Sequence, residues 1–262
     1  MARRTLPFFL AAYGITWGLQ LPAVLASRGV IAGPFERFMP LVGLGALGPL
    51  LAAVLVSRFE RDGAGVRALF RPLRIWRVGA GWYFVALLLP GAILVAGMAV
   101  YTLFGGRHGG PWFYLPLDKE HIAAMIMFPI GEEIGWRGLA LPRLQDRYGS
   151  LRASAILGVA WAFWHIPMFM LAGITPAIFL LTIPFFFAGS LVITWIYNRT
   201  NASLLIAVLV HVGAHLNNSH RALPGNEIPA IAHTVAYCVV ALALVLLDRK
   251  AWRAGAAREA VG

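Results

Sequence analysis

Apolar residues occupy this chain in runs of about twenty, broken by short segments in which arginine, glycine and proline collect. Runs of that length fit the roughly 20 residues that carry an α-helix across a hydrocarbon core about 30 Å thick. The first follows Arg3 and Arg4 and extends to about Ala26. Val24-Leu25-Ala26 imitates a cleavage site, but the run exceeds the roughly 7–15 apolar residues of a signal peptide, so it reads as a membrane helix. Further spans are expected over about Phe38–Ser57, Gly79–Phe104, Glu120–Leu141, Arg152–Leu171, Pro176–Tyr197, Asn201–Leu216 and Ile228–Leu247. Pro111-Trp112-Phe113-Tyr114 reads as an aromatic interfacial segment before the fourth. The seventh run is shorter than the usual 17–25 residues, which places it among its neighbours rather than against lipid. The pattern predicts an all-α, polytopic membrane helical bundle of about eight transmembrane helices, forming a single domain over residues 1–262.

Charge orients the bundle. With the N-terminus inside, the inner segments hold Arg3, Arg4, six arginines between spans two and three (Arg58, Arg61, Arg67, Arg71, Arg74, Arg77), Arg143, Arg147, Arg152, Arg199, Arg249, Lys250, Arg253 and Arg258. The outer segments hold only Arg28, Arg37, Arg107, Lys119 and Arg221. Sixteen against five predicts both termini in the cytoplasm of a multi-pass cell-membrane protein. The apolar share of 60% and charged share of 13% point the same way, against about 45–50% and 25% in soluble domains. The net charge of +11 belongs to this topological bias and not to nucleic-acid binding. The single cysteine, Cys238, lies in the last apolar run and excludes both a disulfide framework and a cysteine-based metal site.

Against this background the informative residues are the polar ones at membrane depth. Pro129-Ile130-Gly131-Glu132-Glu133-Ile134-Gly135-Trp136-Arg137-Gly138 places two adjacent carboxylates and a guanidinium within a span, and such groups persist there only with a partner or a task. Glu133 and Arg137 are four residues apart and share a helix face, so they can pair. Glu132 points about 100° away and is left for another partner. Trp161-Ala162-Phe163-Trp164-His165 sets a histidine one turn beyond an aromatic ring, in an apolar helix able to hold the imidazole and exclude water. His211 and His215 share a face at a spacing that suits metal binding or two donors aimed at one oxygen, although Gly213 and Ala214 equally suit close helix packing with histidine as polar glue. Counted at 1.5 Å per residue from the inner ends of their spans, Glu132, His165 and His211 fall within about one turn of a common depth. A single site, opening from the cytoplasmic half of the bundle, is the expectation.

A carboxylate beside imidazoles can activate water as a general base, with or without a metal. The chain has neither a Gly-x-Ser-x-Gly elbow nor an HExxH helix, so water-mediated hydrolysis is the expected chemistry. A proton-coupled transporter or a bacteriocin-immunity-type partner-binding protein would use the same residue types, but no internal repeat or pair of broken helices in matching halves favours transport.

The three clusters resemble the CPBP family, also called ABI: type II CAAX prenyl endopeptidases, bacteriocin-processing and self-immunity proteins, and related intramembrane proteases. Glu132-Glu133-x-x-x-Arg137 matches its EExxxR pattern, and Trp161-x-x-x-His165 matches its aromatic-x-x-x-His with tryptophan where phenylalanine is usual. His211 opens the third motif, and His215 stands where asparagine or aspartate is usual, with Asn217 and Asn218 nearby. The similarity covers about residues 120–218. It implies an intramembrane endopeptidase in which Glu132 and His165 activate the water, His211 and His215 support the oxyanion or a metal, and Glu133 with Arg137 forms a supporting pair. If a divalent ion such as zinc takes part, Glu132, His165 and His211 are its implied ligands. The implied partners are the lipid bilayer and a protein or peptide substrate, lipidated in one branch of the family.

Overall fold

A computed structural model of the chain describes residues 5–60, 65–107, 119–216 and 227–253. Pro111–Tyr114, Asn217, Asn218 and the basic residues Arg3, Arg4, Arg61, Arg221 and Arg258 lie outside the described residues. The helices are α1 (Leu6–Ser27), α2 (Met39–Gly45), α3 (Gly48–Phe59), α4 (Gly65–Phe70), α5 (Gly81–Leu103), α6 (Lys119–Gly135), α7 (Leu141–Tyr148), α8 (Ser150–Trp164), α9 (Ile166–Leu171), α10 (Pro176–Arg199), α11 (Leu204–His215) and α12 (Glu227–Leu247). No strand occurs among the described residues. Every span expected from the sequence contains helix. By length and apolarity, α1, α5, α8 with α9, α10 and α12 can each cross a membrane, and α2 with α3 makes a sixth candidate bent by 46°. The bend falls where Gly45 to Pro49 interrupts the ladder, since Pro49 has no N–H to donate. The expected eight spans thus become five or six on this criterion, because α6 has 17 residues and α11 has 12.

The bundle's core is mostly apolar but also holds buried charge, and its outside is greased. Leu10, Phe84, Leu88, Leu180, Val239 and Leu242 are exposed, whereas Glu133 and Arg137 have no exposed surface. That inversion suits a protein whose solvent is lipid. The central pair is α6 and α11, which pack on each other. α3 covers α6, α5 covers α11, α1 lies over α2 and α3, and α10 joins α8 to α12. Close approach uses small residues, as membrane interfaces do. A Cβ on Gly135 would stand 2.6 Å from the Pro49 carbonyl carbon, and one on Gly213 would stand 2.7 Å from the carbonyl oxygen of Leu87. Ser154, Ser190 and Thr194 tie α8 to α10 through bonds such as Ser154 Oγ to Thr194 Oγ1 at 3.0 Å.

One end of the bundle is laced by polar side chains. Both Arg143 nitrogens Nη1 and Nη2 donate to Glu60 at 2.7 Å, joining α7 to the end of α3. Gln145 donates to Asn198 at 2.9 Å, and Asn198 donates to the Ala251 carbonyl at 2.8 Å. Ser203 donates to the Ile75 carbonyl at 2.6 Å, fastening the start of α11 to the segment after α4. Asp248 accepts from Trp195 at 2.8 Å and from Arg199 at 2.6 Å. Burial works against the charged Asp248, but the Trp195 and Arg199 bonds outweigh it and hold its carboxyl below the usual range.

A depressed native pKa stabilises the fold above the unfolded value of about 3.9, and that contribution disappears as pH falls through the lower native value. Asp248→Asn should therefore lower Tm at pH 7 and converge with wild type near pH 2–3, as read from thermal unfolding across pH. Gly213→Ala should cost about 1–3 kcal/mol, because its methyl meets backbone carbonyls of α5 that cannot swing aside.

Candidate active site

Glu132 and Glu133 sit at the end of α6, just before a π-helical turn over Trp136–Ala140 that leads into α7. Such single π-turns are rare and often mark functional sites. Glu133 Oε1 accepts from Arg137 Nη1 at 2.7 Å and lies 2.9 Å from His211 Nδ1. The expected pairing of Glu133 with Arg137 is present. The role expected for His211, at an oxyanion or metal, meets a prior commitment: one ring nitrogen is held by Glu133. The Arg137 guanidinium also lies over the Trp161 ring, 5.0 Å from its centroid.

Glu132 takes a separate partner, as its divergent direction implies. Its Oε2 accepts from the Trp161 indole N–H at 2.6 Å, and the residue is 3% exposed. Trp161 is therefore more than an aromatic wall. It bridges α6, α8 and α11, with its ring edge-on to His211 at 5.1 Å between centroids.

His165 falls at the break between α8 and α9, not within one continuous helix as the apolar pattern suggests. Pro167, in the first turn of α9, has no N–H to carry the ladder through. His165 Nδ1 lies 2.9 Å from the Trp161 carbonyl, which can only accept, so Nδ1 carries the proton and the neutral ring presents a bare Nε2. His215 is the last residue of α11, with its Nε2 3.2 Å from His211 Nε2. Two facing ring nitrogens at that distance share one proton, one donating and one accepting.

Glu132, Trp161, His165, His211 and His215 line one cavity of about 340 Å³, walled largely by Met125, Phe128, Met168, Phe169, Phe185 and Phe186. The three sequence clusters do converge. On α6 the cavity's lining residues precede Glu132, on α9 they follow His165, and on α11 they include His215 at the helix end. Trp161, Trp164 and Val210 line it on the opposite side of His165 and His211. Among the described residues no three His, Cys, Asp or Glu side chains assemble as a metal-holding group. His211 is bonded to Glu133 and faces His215, and His165 is turned by the Trp161 carbonyl.

A polar stripe on α1 also serves the site. Trp164 donates to Thr16 Oγ1 at 2.8 Å, Thr16 donates to the Gly45 carbonyl at 2.8 Å, and Trp17 donates to the Trp164 carbonyl at 3.1 Å. Tyr13 donates to the Ala160 carbonyl. Gln20, also on the stripe, lines the cavity. The signal was available: Tyr13, Thr16, Trp17 and Gln20 recur at helical spacing in a run otherwise read for hydropathy alone.

Residues 120–217 match the family described as type II CAAX prenyl endopeptidase Rce1-like. Across 258 residues the chain is 25% identical to CAAX prenyl protease 2 of Methanococcus maripaludis, a match covering 93% of each chain. These similarities support a membrane-embedded protease. Both matches support the CPBP family for this chain.

Trp161→Phe keeps an aromatic ring but removes the donor to Glu132. Losing a hydrogen bond to a charged group, worth about 1.5–3 kcal/mol, should lower kcat for peptide cleavage by roughly ten- to a hundredfold and lower Tm as well, because buried Glu132 loses its donor. Single-turnover cleavage beside thermal unfolding checks this.

Proposed function

We propose that the chain is a glutamate-dependent intramembrane endopeptidase in which Glu132 is the general base. The observation that carries this reading is the shared cavity: Glu132, with one oxygen held by Trp161, lines it together with His165, His211 and His215. Holding one carboxylate oxygen keeps the other for a water, and the bare Nε2 of His165 supplies a second acceptor for the same molecule. As the water oxygen bonds to the scissile carbonyl carbon, its proton passes to Glu132 and the carbonyl electron pair moves onto oxygen. The N–H shared by His211 and His215 then donates to that oxyanion in place of their mutual contact. Glu132 returns the proton to the amide nitrogen as the C–N bond breaks, which balances the hydrolysis. Glu133 and Arg137 are positioning residues, acting through His211.

The substrate is a protein or peptide segment that enters the membrane, and the aromatic and methionine walls suit apolar side chains or an attached lipid. No step here is routed through a metal.

Glu132→Gln should reduce kcat by about 10³-fold or more, and His165→Ala by about 10²–10³-fold, for a fluorogenic peptide cleaved by the protein in lipid. A chelator should leave the wild-type rate unchanged. Full activity of Glu132→Gln would sink the assignment of the base, and activity lost to chelator and restored by zinc would replace it with a metal-activated water.

A further inference from the structure

Gln20 brings to the cavity wall a polar group that the hydrolysis above does not use. It lies one turn beyond Thr16 on α1 and is 2% exposed. Its Nε2 donates to the Val42 carbonyl of α2 at 3.3 Å. A carbonyl can only accept, so this bond fixes which end of the amide faces α2 and leaves Oε1 as the other end. Oε1 is buried and has no hydrogen-bond partner among the described residues. Buried acceptors in folded proteins are paired, and one left open on a cavity wall is a place for a ligand's donor.

The amide is held in place from two sides. Thr16 accepts from Trp164 at 2.8 Å and donates to the Gly45 carbonyl at 2.8 Å, so this part of α1 is tied both to α2 and to the helix that leads to His165. A Cβ on Gly45 would stand 2.9 Å from Gln20 Cγ and 3.2 Å from the Thr16 carbonyl oxygen, so glycine there lets α2 press against the side chain. Just past the end of α2, Ala46 lines the cavity with Gln20. The same segment meets the residue before the proposed base: a Cβ on Gly131 would stand 2.6 Å from Leu47 Cδ2 and 3.7 Å from the Ala46 carbonyl oxygen. The Met125, Phe128, Phe169 and Phe186 walls supply apolar contact but no strong side-chain acceptor. A polypeptide entering such a space brings main-chain N–H groups that are costly to bury unbonded.

Resting on the protease reading above, we propose that Gln20 is a substrate-binding residue whose Oε1 accepts one main-chain N–H of the bound polypeptide. The specificity that follows is exclusion of proline, which has no N–H, at that one substrate position.

A cycle between enzyme and peptide tests this. A fluorogenic apolar peptide is compared with derivatives carrying a single backbone N-methyl group at each position in turn. Wild type, Gln20→Met and Gln20→Glu are assayed in lipid for kcat and KM. The same peptides are titrated by fluorescence polarisation against Glu132→Gln, with and without Gln20→Met, so that binding is read without turnover. At one position N-methylation should raise KM and Kd about tenfold where Gln20 is present and less than twofold in Gln20→Met, because groups in contact couple. Gln20→Glu keeps an acceptor oxygen at the same reach and should keep the penalty. The Tm of Gln20→Met should hold or rise, since the substitution removes a buried oxygen that has no partner. Equal penalties with and without Gln20 at every position would overturn the proposal, as would a Gln20→Met variant that loses Tm but keeps the wild-type KM. Absence of cleavage with the binding cycle intact would count against the protease reading alone.

Discussion

A guanidinium with no exposed surface must have a carboxylate beside it, and in this bundle that carboxylate is Glu133. One oxygen of Glu133 serves both Arg137 and His211, so the same atom compensates the buried cation and fixes the ring on α11. Removing Glu133 would strand Arg137 in a low-dielectric interior, and such uncompensated charges cost several kcal/mol. The pairing of α6 with α11 therefore has an electrostatic reason as well as a packing one. The Arg137 guanidinium over Trp161 extends the node to α8, the helix that leads to His165.

From that node the site divides its labour between adjacent residues. Glu133 is consumed by structure, while Glu132 meets Trp161 and the cavity. Consecutive positions on a helix face directions about 100° apart, which lets neighbouring carboxylates live in different surroundings. The histidines are divided similarly. His165 has one nitrogen held by a carbonyl and His215 one held by a ring, so each presents a second, whereas His211 has both engaged, one by Glu133 and one by His215.

Much of this was legible in the sequence, because membrane spans and intramembrane charges are strong signals. The apolar runs located the helices, and the four-residue spacing of Glu133 and Arg137 located their bond. Common depth correctly gathered Glu132, His165 and His211 around one space. What escaped depends on three-dimensional partners. Nothing in spacing assigns the Trp161 indole to Glu132 or commits His211 to Glu133, since each bond joins different helices. The break at His165 was hidden because Pro167 lies inside a run whose hydropathy does not change. The α1 stripe was passed over because tryptophan, tyrosine and threonine hardly disturb an apolar average.

The π-turn at Trp136–Ala140 has a consequence for phase. A π-turn accommodates one residue more than the α-helical ladder would, and one residue is about 100° of rotation. α6 and α7 are thus one strand of helix cut and rejoined out of step. The carboxylates can face α8 and α11 while Arg143, one turn past the insertion, still faces Glu60 at the laced end. A regular helix through this stretch would satisfy either the site or the clasp. The inserted residue lets the chain keep both.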